Sequence, residues 1–126
     1  MIFMPQDPDP RPTILIVEDI VFIRMMTEDY FETAGFRTLS ARSTSEAIAF
    51  LETDSTIGYL FADIHLPDGE DGQILAEIAR RRWPPVKIIL TSADIPADQV
   101  RLPVRGLFVP KPYSLDKVRK AFEKMA

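Results

Sequence analysis

Thr13-Ile14-Leu15-Ile16-Val17-Glu18-Asp19 is the stretch that decides the fold: an uncharged, almost wholly apolar run that ends in two adjacent carboxylates. A short, unbroken apolar run without polar alternation reads as a strand buried on both faces, as in a parallel sheet. Three later runs repeat the pattern. Ile57-Gly58-Tyr59-Leu60-Phe61-Ala62 ends in Asp63, Val86-Lys87-Ile88-Ile89-Leu90 in Thr91-Ser92, and Leu107-Phe108-Val109-Pro110 in Lys111-Pro112. Ligand sites in open parallel sheets lie at the carboxyl ends of the strands. Three carboxylates, one hydroxyl and one lysine, scattered along the chain, therefore converge on one cleft. That is a place for a divalent cation and a phosphoryl group.

The segments between the runs have helical spacing. From Ile20 to Ala34, the residues Ile23, Met26, Thr27, Tyr30, Phe31 and Ala34 fall on one stripe, and Gly35 is the stop. Phe36 to Ala41 is a further, weaker strand. Ser43-Thr44-Ser45-Glu46 forms a capping box that opens a helix with Ala47, Ile48 and Leu51 inward. After Asp63 comes a turn-rich loop, Leu66 to Gly72, then a helix from about Gly72 to Arg82 with Leu75, Ile78 and Ala79 inward, ended by Pro84-Pro85. Pro96 and Pro103 leave room for only a short helix between Ala93 and Leu102. Ser114 caps a last helix with Leu115, Val118, Phe122 and Met125 on one face. Strand and helix thus alternate five times, which predicts an α/β fold: a parallel sheet with helices on both faces.

The 126 residues suit one domain with a core, and the formal charge of −4 argues against direct nucleic-acid binding by the surface as a whole. The absence of cysteine excludes disulfides, thiolate metal sites and redox roles, and fits the cytoplasm. Residues 1–12, with Pro5, Pro8, Pro10, Pro12 and several aspartates, read as a flexible arm unlike a signal peptide, and residues 13–126 as the domain. No apolar segment reaches the length of a membrane span, so no membrane association is expected.

A hard cation such as Mg²⁺ takes oxygen ligands, and Glu18 and Asp19 at one strand end supply two carboxylates. Asp63 is either a third ligand or a nucleophile toward phosphorus. Transfer of a phosphoryl group to a carboxylate requires its equatorial oxygens to be neutralised. The cation, Lys111 and the Thr91 hydroxyl can share that role. Any one of these residues alone is more often a turn former or helix cap. Their joint occurrence at four strand ends is what points to chemistry.

Ile16-Val17-Glu18-Asp19, Asp63-Ile64-His65-Leu66-Pro67 with Gly72, Leu90-Thr91-Ser92-Ala93 and Phe108-Val109-Pro110-Lys111-Pro112-Tyr113 together resemble the receiver domain of two-component response regulators, from Thr13 to Met125. The resemblance implies a flavodoxin-like, doubly wound sandwich with strand order 2-1-3-4-5 and about five helices, the fourth short. It implies Asp63 as phosphoacceptor, and Glu18, Asp19, Asp63 and the main-chain carbonyl of His65 as Mg²⁺ ligands. Thr91 is then the switch hydroxyl, Phe108 the rotameric aromatic, and Lys111 the phosphate-binding lysine before a cis Pro112. The implied partners are a histidine kinase or histidine phosphotransfer protein and an unknown downstream protein.

The chain departs from the family's pattern at three points. Gly72 comes one residue later than usual after the phosphoacceptor, an insertion within Asp68 to Asp71. This acidic loop is either a solvated turn or a local attractor for Mg²⁺. The stretch from Thr91 to Lys111 is short, which puts in question the common dimer face on the fourth and fifth helices and last strand; a monomer or weak dimer is expected. His65 stands two residues after the phosphoacceptor, either as an exposed loop residue or as a side chain that touches the phosphoryl group. Arg80-Arg81-Arg82 reads as a solvated helix end favourable to the helix dipole, with Trp83 covering it. Val21, Phe22 and Met25 lie off the core stripe and, with Pro112 and Tyr113, form a candidate kinase-docking surface.

The expectation is a stand-alone receiver: a phosphorylation-controlled switch, not an enzyme apart from self-catalysed phosphorylation and dephosphorylation. The rivals are a phosphohydrolase with an aspartyl nucleophile, an inert receiver-like adaptor, and a fragment of a larger regulator or hybrid kinase. The first expects an acid where His65 stands.

Overall fold

The computed structural model describes residues 9–125. β1 (Thr13–Val17), α1 (Val21–Thr33), β2 (Arg37–Ala41), α2 (Thr44–Thr53), β3 (Ile57–Asp63), α3 (Gly72–Arg82), β4 (Lys87–Ser92), β5 (Leu107–Pro110) and α4 (Leu115–Lys124) follow in that order. The five strands form one parallel sheet in the order β2-β1-β3-β4-β5. This is the flavodoxin-like arrangement expected from the sequence. Its strand order reverses between β1 and β3, so the ligand crevice falls beyond Val17 and Asp63.

Strand alternation builds two cores. Leu15, Val17, Leu60 and Ile88 meet Ala47 and Leu51 of α2 and Leu75, Ala76 and Ala79 of α3. Ile14, Ile16, Phe61 and Ile89 point to the other face, against Phe31 of α1 and Val118 and Phe122 of α4. On that face Tyr30, Phe31, Phe36, Tyr59 and Phe122 form a chain of edge-to-face rings. The capping box forms: Ser43 Oγ accepts from Glu46 N at 3.2 Å, and Glu46 Oε1 accepts from Arg42 N at 2.7 Å. Ser114 Oγ accepts from Lys117 N and starts α4. Of the arm, residues 1–8 lie outside the described residues, and Pro12 already joins the sheet edge by accepting from Arg37 N at 2.8 Å.

Three expectations are corrected. Among the described residues there are four α-helices, and the β4–β5 crossover carries only a 3-10 turn, Ala97–Gln99. Pro96 and Pro103 cut the segment too short to repay helix nucleation. A side chain takes over instead: buried Gln73 of α3 accepts from Arg101 N at 2.5 Å. Met26, assigned to the core stripe of α1, is 52 % exposed, because only Thr27 and Phe31 of that helix are buried. Arg80 is only partly solvated: it donates to the carbonyls of Val104, Pro84 and Val86 at 2.6–2.7 Å.

Candidate functional site: a carboxylate–lysine cleft at the strand ends

Parallel register sets the site. Asp63, the last residue of β3, pairs with Thr91 of β4, and Ile64 N donates to Thr91 O at 2.9 Å. Lys111 N donates to Ser92 O at 2.9 Å, which carries the lysine back over the end of β4. Glu18 follows β1 directly, its N–H bonded to Ala41 O at 3.0 Å. The Lys111–Pro112 peptide is cis.

The side chains converge. Lys111 Nζ lies 2.7 Å from Asp63 Oδ2 and 3.4 Å from Glu18 Oε1. Asp63 Oδ1 accepts from His65 N at 2.9 Å, and Glu18 Oε2 from Ile20 N at 3.2 Å. Glu18 and Asp63 are only 4 % and 7 % exposed. Two carboxylates can be buried side by side because a cation lies between them. Burial by itself would lower the Lys111 pKa, but the hydrogen bond and charge of Asp63, then the charge of Glu18, outweigh it and raise the pKa. Thr91 Oγ1 is buried with no hydrogen-bond partner. With Glu18, Asp63, Thr27 and Tyr113 it lines a cavity of about 10 Å³, at the lower limit for a single water. An orphaned buried hydroxyl costs about 1–3 kcal/mol, which an oxygen-bearing ligand at Asp63 would recover.

Asp19 is exposed and does not join this cluster, and among the described residues no three acidic or histidine side chains gather to hold a metal. The donor set nevertheless fits a hard cation: Glu18 and Asp63 present oxygen only, already close enough to share one positive charge. Arg24 donates to the carbonyls of Glu18 and Asp19 at 3.0 and 3.3 Å and holds the loop that carries them.

The loop with the extra residue folds as a tight 3-10 turn, Pro67–Gly69, with Asp68 at φ 60° and Gly69 at φ 73°. Its acids are mostly helix caps rather than a solvated cluster. Glu70 Oε1 accepts from Thr44 N at 2.9 Å at the start of α2, and Asp71 Oδ1 accepts from Gln73 N at 2.7 Å at the start of α3. Only Asp68 is fully exposed. Gly72 is required by close approach: a Cβ there would sit 2.3 Å from Asp63 O.

The His65 side chain is exposed, with Nε2 2.7 Å from Asp94 Oδ1 across the mouth of the cleft. Asp94 was not singled out from the sequence, since an aspartate in a loop carries no signal of its own. Phe108 packs with Leu90 on the α2/α3 face, and Val109 is the register partner of Thr91. Phe22, Pro112 and Tyr113 line an apolar groove of about 590 Å³ that also includes Lys111 and Met26. Val21 and Met25 stand exposed beside it, as does Ile20.

The sequence profile of the response regulator receiver domain matches residues 14–123. The chain belongs to that family. It is 32 % identical over 120 residues to the C4-dicarboxylate transport transcriptional regulatory protein DctD of Rhizobium meliloti (strain 1021), covering 90 % of this chain and 26 % of that protein. It is 26 % identical over 122 residues to the sensor kinase CckA of Brucella abortus (strain 2308), covering 90 % of this chain and 12 % of that one. The chain thus spans only a minor part of the curated relatives it matches. In fold it is similar to a response regulator receiver protein from Sinorhizobium medicae WSM419, with a TM-score of 0.81, 23 % identity, and 91 % and 94 % of the two chains covered. A CheY-like receiver domain from Methanospirillum hungatei JF-1 superposes with a TM-score of 0.76 at 22 % identity, covering 90 % and 95 %. This receiver is therefore a domain of two-component signalling, a family that generally binds Mg²⁺ and works with histidine kinases as a switch rather than an enzyme. Among its described residues no helix is long and apolar enough to cross a membrane.

Proposed function

We propose that this receiver is a phosphoacceptor switch that takes a phosphoryl group on Asp63 from a phosphohistidine of a histidine kinase or phosphotransfer protein. The observation that carries this reading is the buried pairing of Asp63 with Lys111 at the carboxyl end of the central strand. An Asp63 oxygen attacks phosphorus, the new O–P bond replaces the N–P bond, and the electron pair returns to the imidazole. Lys111 moves from carboxylate to phosphoryl oxygen, and the unpartnered Thr91 hydroxyl donates to another. Mg²⁺ would be held by Glu18, Asp63 and the His65 carbonyl, with Asp19, which stands outside the buried cluster, as the proposed further ligand, and would neutralise charge that builds up on the transferred group. A partner that brings phosphohistidine to Asp63 has to cover the adjacent rim. The groove of Phe22, Pro112 and Tyr113, with Val21 and Met25 beside it, is an apolar surface suited to that contact.

The switch is read out as follows. Once Thr91 turns toward the phosphoryl group, the β4–β5 crossover and Phe108 adjust to the space it leaves. That crossover holds only a single 3-10 turn, so it has little regular structure to resist rearrangement. The short coverage of the two curated relatives favours a second setting for the same chemistry, as the receiver part of a larger regulator or hybrid kinase.

Intact-mass measurement tests the reading. With a small phosphodonor and Mg²⁺ the chain should gain one hydroxylamine-labile phosphoryl group, and Asp63→Asn should gain none. Equal labelling of the variant would refute the assignment. Thr91→Ala should still accept phosphate but lose most of the amide resonance shifts around residues 92–102 and Phe108.

A further inference from the structure

At the opposite end of the sheet, Arg80, Lys87, Arg105, Lys117, Lys120 and Lys124 line one cavity of about 560 Å³. No carboxylate lines it, although the chain as a whole is acidic at −4. The cavity is built where β4 and β5 begin, between the last turn of α3 and the α4 helix. Lys117, Lys120 and Lys124 share one side of α4 by their spacing. Arg80 and Arg105 face them from the loop side. Arg80 is held by the three carbonyls named above, and Arg105 donates to Pro84 O at 3.1 Å. Lys87 Nζ lies over the Tyr59 ring, 5.4 Å from its centroid. Among the described residues none of the six makes an ion pair with a carboxylate.

Like charges held around one concavity repel, and a bound anion relieves all of them together. The floor is apolar: Leu107, Ala121 and Met125, with the edge of the buried Val86. Leu107, on the α4 face of the edge strand β5, is 40 % exposed there. An apolar floor under a cationic rim matches a ligand with two unlike parts. The cations surround one cavity from three directions instead of tracking a line, and the volume falls in the small-molecule range of roughly 300–1,000 Å³. Both features favour a small ligand over an extended acidic peptide.

We infer that this cavity binds a nucleotide-class ligand: a di- or polyphosphate whose charge meets Lys117, Lys120, Lys124 and Arg105, with a planar apolar group on Leu107, Ala121 and Met125. The site is remote from Asp63 and independent of its phosphorylation chemistry.

The test is a calorimetric titration of the full chain with ADP, pyrophosphate, adenosine and a polyglutamate peptide, at fixed ionic strength. EDTA is present to silence any metal at the Asp63 cleft. ADP should bind, more tightly than pyrophosphate or adenosine, and shift amide resonances of Gly106, Leu107 and residues 117–124. The double variant Lys117→Glu, Lys120→Glu, both on the exposed side of α4, should lose about tenfold or more in affinity through charge reversal. It should keep its melting temperature and its phosphorylation at Asp63. Asp63→Asn should bind ADP unchanged. No binding of ADP up to millimolar concentration, unchanged binding by the double variant, or tighter binding of pyrophosphate or the peptide than of ADP would each overturn the inference. Loss of binding in Asp63→Asn would instead place the ligand in the phosphoacceptor cleft and overturn it equally.

Discussion

At the carboxyl ends of the strands Glu18, Asp63 and Lys111 are buried and paired with one another, whereas at the amino ends of β4 and β5 six cations line a cavity without a partner carboxylate. Desolvation separates the two cases. A charge taken out of water survives only when an opposite charge and hydrogen bonds replace its solvation. The fold therefore dictates the geometry of the buried cleft to within a hydrogen bond. Solvated lysines need no such compensation, so they can collect on one face and stay free for a ligand. The cleft is consequently sensitive to every neighbour, and the basic cavity tolerant of substitution.

The largest effect should come from Gly72→Ala, since the added Cβ would strike Asp63 O and push the start of α3 away from β3. A loss of about 3 kcal/mol or more in denaturant unfolding is expected, as for overpacking against backbone. Phosphorylation at Asp63 should fall with it. A variant of wild-type stability would show that the strand end and α3 are not tightly joined.

Lys111→Met comes next. It leaves two buried carboxylates facing each other without their cation, at a cost of about 3 kcal/mol in EDTA, the low end for a broken buried pair because Lys111 is partly exposed. Mg²⁺ should restore part of this, so the rise in melting temperature with Mg²⁺ should be larger in the variant than in wild type. The raised Lys111 pKa also sets a pH dependence. Its contribution is fully present below the ordinary lysine value of 10.5 and is lost as pH climbs through the raised folded value. Wild-type stability should therefore fall more steeply above that pH than the variant's.

Gln73→Ala should cost about 1 kcal/mol through the lost bond to Arg101 N. Amide exchange in residues 94–102 should quicken, while exchange in β1 and β3 stays unchanged. The smallest effect belongs to the basic end: Lys120→Ala and Lys124→Ala should leave the melting temperature where it is, or raise it slightly as repulsion falls. A clear loss of stability would mean that these lysines have partners that the open cavity does not suggest.

Much was legible in the sequence because it depended on local pattern. Short apolar runs marked all four strands that end at the site, and α3 and β5 lie where the reading placed them. Ser43 and Ser114 announced their helices, because capping is a contact within one turn. Asp63, Lys111 and Thr91 stood out as polar residues where apolar runs stop, and parallel register brings those stops together.

Contacts between distant segments carried no such mark. The Gln73 anchor, the His65–Asp94 contact and the capping of α2 by Glu70 each join segments far apart in the chain. Asp19 and Glu18 are neighbours in sequence and equal in chemistry, yet only Glu18 is buried beside Lys111. Six cations spread between Arg80 and Lys124 look like ordinary solvated charge until the sheet gathers them. Periodicity and capping are properties of a few consecutive residues, and so the sequence alone determined the elements, their order and the polar residues at the strand ends. Which of those residues are desolvated together, and which charges are left without a partner, depends on long-range packing, and only the tertiary structure decided it.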